Sequence, residues 1–160
     1  MRIIGIDPGT GRMGFGIIDA HRGTLTLVDA GIITTPAHTP TNERLEDIFD
    51  NLTQLVADLR PDMMAVEKLF FARNVTTAMS VAEARGVALL VGQKAKLIIE
   101  EYTPMQIKQS ITGYGGADKK QMQEMVRLQL GLATVPKPDD AADALAAAIM
   151  CAALHRGDSQ

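Results

Sequence analysis

The chain has 160 residues, enough for one domain with a sizeable core, and 46% of them are hydrophobic, which excludes a disordered tail. Its longest apolar stretches read as far short of a membrane span, and no basic, cleavable leader precedes the first strand pattern, so no membrane partner is expected. The single cysteine, Cys151, leaves no internal disulfide and fits a reducing cytoplasm; its bland reading is a small buried group in the last helix.

The net charge of −3 at first argues against a nucleic-acid partner. Its distribution argues the other way. Residues 1–67 carry five basic and ten acidic groups, whereas residues 68–120 carry eight basic and four acidic ones. The excess positive charge (Lys68, Arg73, Arg85, Lys94, Lys96, Lys108, Lys119 and Lys120) therefore lies in the middle third. A localised basic face can bind phosphate on an acidic protein; a solvated surface explains the same charges.

In chain order, residues 2–7 read as a buried strand, and 14–19 and 24–34 as two more, joined by a turn at Ala20–Gly23. Thr41 is expected to cap a helix over 42–60, with Leu45, Ile48, Phe49, Leu52, Leu55, Val56 and Leu59 at helical spacing. Pro61-Asp62 stops it. A fourth strand follows at 63–67, a helix at 75–94 and a fifth strand at 97–102. Pro104 opens a short helix to about 111. Asp118 caps a helix to about 130, and a final helix runs over 139–155. Three strands followed by alternating helix and strand predict an α/β fold: a mixed five-stranded sheet with helices on both faces. Residues 1–156 form one domain in this reading, with 157–160 a flexible tail.

Two glycine motifs mislead. Gly9-Thr10-Gly11-Arg12-Met13-Gly14 matches the dinucleotide fingerprint, but a strand follows where that fold needs a helix N-terminus. Gly113-Tyr114-Gly115-Gly116-Ala117-Asp118-Lys119-Lys120 lacks the spacing of a phosphate-binding P-loop and follows a helix. A substrate-contacting loop suits it better.

Four carboxylates are harder to explain by folding alone. Asp7 ends one apolar run and Glu67 another, while Asp140 and Asp143 share a face at the head of an alanine-rich helix. Brought together they would repel, and would stay ionised only beside counter-cations. Hard divalent ions such as Mg²⁺ are the natural partner. Taken singly, Glu67 suits a strand-end surface, and Asp139 and Asp140 complement a helix dipole. Asp139 with Asp143, at i and i+4, remains an alternative register. Phe70-Phe71 read either as core or as aromatics stacking on bases. An aspartate that ends a strand before a hairpin also occurs in actin-like kinases, but those need two such domains, and 160 residues hold one.

Asp7-Pro8-Gly9, Glu67 followed by Phe70-Phe71-Ala72-Arg73-Asn74, Lys108, Gly113-Tyr114-Gly115, Lys119, and Asp140-Ala141-Ala142-Asp143-Ala144 together resemble the RuvC family of Holliday-junction resolvases. The resemblance runs from residue 1 to about 155. It implies a ribonuclease-H-like fold, a homodimer, and symmetric nicking of four-way DNA with two Mg²⁺ ions per site, Mn²⁺ substituting, leaving 5′-phosphate and 3′-hydroxyl ends. It also implies a branch-migration motor complex as partner. Residue by residue, it assigns Asp7, Glu67, Asp140 and Asp143 as the catalytic, metal-binding set. Phe70 matches the DNA-stacking aromatic, and Lys108 and Lys119 match the phosphate-contacting bases, with Lys119 also aiding catalysis. Phe71, Arg73, Asn74, Tyr114 and Lys120 are expected beside them on DNA. The helix at 75–94, apolar on more than one side, is expected to meet the partner subunit. A nuclease acting on structured RNA, as in YqgF-type proteins, a junction-binding scaffold without turnover, and an actin-like ATPase are the rival readings.

Overall fold

The computed structural model describes residues 1–69 and 75–155. The expected Phe70, Phe71, Arg73 and Asn74 contacts and the 157–160 tail lie outside them. In chain order the elements are β1 (Arg2–Asp7), β2 (Arg12–His21), β3 (Thr24–Thr34), α1 (Thr41–Leu59), β4 (Met63–Glu67), α2 (Val75–Lys94), β5 (Ile98–Tyr102), α3 (Pro104–Thr112), α4 (Lys119–Gln129) and α5 (Asp139–Leu154). One sheet has the order β3-β2-β1-β4-β5. β1 pairs antiparallel with β2 and β2 with β3, while β1–β4 and β4–β5 are parallel. This is the expected mixed sheet, of ribonuclease-H-like type.

β2 is longer than its 14–19 pattern suggested. Its ladder with β3 runs from Arg12–Thr34 to His21–Thr24, so the turn shrinks to Arg22-Gly23. Both residues have positive φ, the primed geometry that matches the twist of a tight hairpin. Thr41 is a second departure: it lies inside α1, Pro40 precedes the helix, and no side chain caps it. The expected Asp118 cap of α4 is present, and α3 opens at Pro104 as expected, with Thr103 an unanticipated cap. Thr103 and Gln106, and Asp118 and Gln121, form reciprocal capping boxes.

Strand alternation divides the core in two. Ile3, Met63 and Ala65 face α3, α4 and α5. Ile4, Ile6, Met64 and Val66 face α1 and α2, meeting Ile48, Leu52, Ala84, Ala88 and Val91. By length and hydropathy alone α2 would pass as a membrane span, contrary to the expectation that every apolar stretch is too short. The packing of its Ala84, Ala88 and Val91 against the sheet is that of a core helix, yet Val75, Met79 and Leu90 on it are exposed.

Helix α5 is buried from Ala144 to Ala152 and presses directly on the sheet. Glycines permit this approach. A Cβ on Gly5 would collide with the carbonyl of Ala144, and one on Gly14 with the carbonyl of Asp140. Small residues on both surfaces bring the head of α5 against the start of β2 and the end of β1. Cys151 is buried in this helix, as expected of a packing residue.

Candidate active site

The register of β1 and β4 pairs Ile6 with Val66, so Asp7 and Glu67 leave the sheet side by side. Alternation turns both toward α5. The first turns of α5 carry Asp140 and Asp143 to the same end. Lys108 on α3 and Lys119, the first residue of α4, face them. Glu67, Lys108, Lys119 and Asp143 line one cleft of about 240 Å³ with Pro104, Ile107 and Met122. Asp7 and Glu67 line an adjoining one of about 130 Å³ with Lys68 and Val81.

The electrostatics identify the convergence. Burial pushes the Asp7 carboxyl up to about 8, and the charges of Glu67, Asp143 and Asp140 add to the shift, with Lys119 opposing them. Burial and then Asp143 push Glu67 up to about 7, against the pull of Lys108. Asp143 is raised too, mainly by burial, although Lys119 stands beside it. Three chain segments, β1, β4 and the head of α5, thus share one field in which each added negative charge costs more than the last.

Internal cations hold this field in check. Lys119 Nζ lies 3.3 Å from Asp139 and 3.5 Å from Asp143. Burial disfavours its charge, but the two aspartates outweigh that and raise its pKa. Lys119, matched by resemblance to a phosphate-contacting residue, is engaged here by carboxylates. Arg12 Nε reaches Asp140 at 3.0 Å, a pair that no sequence spacing announced. Asp139 departs from the group. It is exposed, bonded to Gln123 at 2.9 Å and held low by Lys119, and its charge is not among those raising Asp7. The Asp140–Asp143 register is the one that meets Asp7.

Among the described residues no three acidic, imidazole or thiol groups are drawn together into a ready cage for one ion. The donors nevertheless suit a hard divalent cation: all are partly buried carboxylate oxygens, proton affinity is raised at Asp7, Glu67 and Asp143, and Arg12 and Lys119 stand where a cation would neutralise the cluster.

The remaining expected residues are peripheral. Tyr114 is exposed in the loop before α4 and its hydroxyl end lies against Gly116. Lys120 is exposed beside Lys119. Arg85, counted from sequence in the basic face, is not available to phosphate. Its side chain is 17% exposed, pairs with Glu101, and donates from Nε to the Glu67 carbonyl at 3.1 Å. Buried Thr10 was missed altogether. Its hydroxyl donates to the Ser80 carbonyl at 2.6 Å, fastening the turn after Asp7 to α2, and its own carbonyl accepts from Thr35 at 2.7 Å. Both G-x-G-x-x-G and the lysine-rich glycine loop lack phosphate-cradle geometry: β2 starts at Arg12, and Gly113 is the left-handed C-cap of α3.

A ribonuclease-H-like sheet with carboxylates at the ends of two central parallel strands and at the head of the last helix defines a class of nucleic-acid-processing domains. Comparison with known proteins narrows it. The family model described as crossover junction endodeoxyribonuclease RuvC matches residues 3–151. A protein of that name from Chloroflexus aurantiacus is 58% identical over 149 residues, spanning 93% of this chain and 91% of its own, and one from Brevibacillus brevis is 54% identical, spanning 93% and 90%. Thermus thermophilus RuvC, solved in complex with Holliday junction substrate, superimposes with a TM-score of 0.92 at 34% identity, over 99% of this chain and 97% of that one. A yeast mitochondrial Holliday junction resolvase shares the fold, with a TM-score of 0.70 at 12% identity over 98% of this chain and 80% of its own. The chain belongs to the RuvC family of crossover junction endodeoxyribonucleases, which are nucleases.

Proposed function

We propose that this protein resolves four-way DNA junctions by nicking two strands symmetrically, with Asp7, Glu67, Asp140 and Asp143 holding two Mg²⁺ ions. The observation that carries the reading is the shared field of these carboxylates, in which Asp7 is pushed up to about 8 and Glu67 to about 7. A divalent cation bound among these carboxylates would displace their protons and relieve their mutual repulsion. Family membership and the junction-bound relative support four-way DNA as the substrate over a structured RNA.

Bound there, the ions would supply a metal-activated water and charge neutralisation at the cleaved phosphate. The protein's own groups do the rest. Asp7 and Glu67, fixed at strand ends, set the floor of the site. Asp143 and Asp140, fixed on α5, form its wall. Lys119, paired with Asp139 and Asp143, and Lys108, across the cleft from Glu67, would face the phosphate and could stabilise its developing charge. No side-chain nucleophile is needed: water attacking phosphorus in line with the 3′ oxygen would break the P–O3′ bond, and the departing oxygen would take up a proton, leaving 5′-phosphate and 3′-hydroxyl ends. The exposed Val75, Met79 and Leu90 of α2 suit burial against a second subunit, and a two-fold dimer presents two sites to a nearly two-fold substrate. Phe70 and Phe71, Arg73 and Asn74, with Tyr114 and Lys120, are assigned to DNA by family resemblance, as is a branch-migration motor as partner.

A mobile four-way junction incubated with and without Mg²⁺, with products mapped on every strand, tests the reading. Paired nicks of opposite strands with ligatable ends are expected in Mg²⁺ alone. Binding without nicking would favour the scaffold, and faster cleavage of structured RNA would favour the RNA-processing alternative.

A further inference from the structure

Arg85 stands midway along α2, on the face of the sheet opposite the carboxylates. Its Nε donates to the main-chain carbonyl of Glu67 at 3.1 Å. Its guanidinium also pairs with the carboxylate of Glu101 on β5, and the side chain is 17% exposed. One planar cation therefore joins α2, β4 and β5 at the residue where β4 leaves the sheet. The next peptide is fixed as well, since Lys68 N–H donates to the Tyr102 carbonyl at 2.7 Å. On the other side of the same backbone, the Glu67 side chain enters the cleft with Asp143 and Lys108. Thr10, bonded to Ser80 at 2.6 Å, ties the turn after Asp7 to the same helix. Helix α2 thus grips both strand ends that carry the floor of the site.

We propose that Arg85 is a positioning residue, which fixes the peptide plane of Glu67 from behind the sheet and so sets the direction in which its carboxylate enters the ion pocket. This rests on the reading of Glu67 as a metal ligand. A contact with DNA phosphate is disfavoured, because the guanidinium is largely buried and already faces Glu101. Groups that orient metal ligands commonly matter about 10–100-fold in metal affinity or activity.

Arg85→Gln, Arg85→Lys and Glu101→Gln are compared in the full chain. Three quantities are read: Mn²⁺ affinity of the DNA-free protein by calorimetry, junction affinity in Ca²⁺, and cleavage against Mg²⁺ concentration. Arg85→Gln is expected to weaken Mn²⁺ binding about tenfold or more and to raise the Mg²⁺ requirement by a similar factor, with junction affinity unchanged. Arg85→Lys, which keeps a charge and a donor, should recover part of the loss. If Arg85→Gln does not fold, Arg85→Lys and Glu101→Gln carry the test, each weakening Mn²⁺ binding a few-fold. Wild-type Mn²⁺ affinity in every folded variant overturns the proposal. So does loss of junction binding with Mn²⁺ affinity unchanged, which would make Arg85 a phosphate contact. A wild-type protein that nicks no junction, yet binds Mn²⁺ more tightly than Arg85→Gln, would sink the nuclease reading and leave this one standing.

Discussion

Asp7 concentrates the chemistry of the site in one side chain. Its carboxyl sits at about 8 because burial and three neighbouring carboxylates all oppose its charge. A group whose pKa is higher folded than unfolded favours the fold at low pH, and that contribution is lost as pH rises through the folded value. With Glu67 at about 7, the metal-free protein should lose melting temperature as pH climbs from about 4 to 8, and Mg²⁺ should restore it. Thermal unfolding in chelator across that range checks the slope. Asp7→Asn should flatten it and raise the metal-free melting temperature at pH 8, by about 2–4 °C per kcal/mol of repulsion removed. The same variant should bind junctions nearly as well as the wild type, in gel shifts without metal, while cleaving none of them. Loss of binding together with cleavage would make the acidic cluster structural.

Among the elements, α5 decides whether the site exists. It reaches the sheet because Gly5, Gly14 and Gly16 offer no side chains where its backbone and Leu145 press. Gly5→Ala would drive a methyl group into the Ala144 carbonyl. It should cost about 1–3 kcal/mol in denaturant unfolding and displace Asp140 and Asp143 enough to depress cleavage beyond the loss of stability. Gly16→Ala would crowd both the Leu145 side chain at 2.5 Å and its backbone nitrogen at 2.8 Å, and should likewise unseat α5. Much of this architecture was legible in the chain. Apolar runs bounded by turn residues located the strands, Asp118 marked one helix start by local hydrogen-bond chemistry, and Pro104 marked another by its fixed φ. Asp7, Glu67 and Asp143 stood out because each ends or interrupts an apolar pattern. What sequence withheld was contact between distant segments. Arg12 with Asp140, Arg85 with Glu67, and Thr10 with Ser80 have no spacing signature, since only the folded sheet brings them together. Thr41 failed as a cap because the chain enters α1 one residue earlier, after Pro40.

For the whole molecule, α2 is the element with unfinished business. One side grips the sheet and both strand ends, while Val75 and Met79 on it are 67% and 61% exposed. The proposed dimer would bury them. Met79→Glu should therefore shift sedimentation velocity from dimer to monomer, weakening self-association at least tenfold because an unpaired charge would have to be buried. Isolated Mn²⁺ binding should survive that change, since the carboxylates belong to one chain.

The most direct trial of the acidic pocket is the position of the ion itself. Crystals soaked in Mn²⁺ and measured at its absorption edge should give anomalous peaks between Asp7, Glu67 and Asp143, with Lys119 withdrawn from Asp143 and Arg12 from Asp140. Peaks lying elsewhere on the molecule, with those carboxylates still paired to Lys119 and Arg12, would contradict the account.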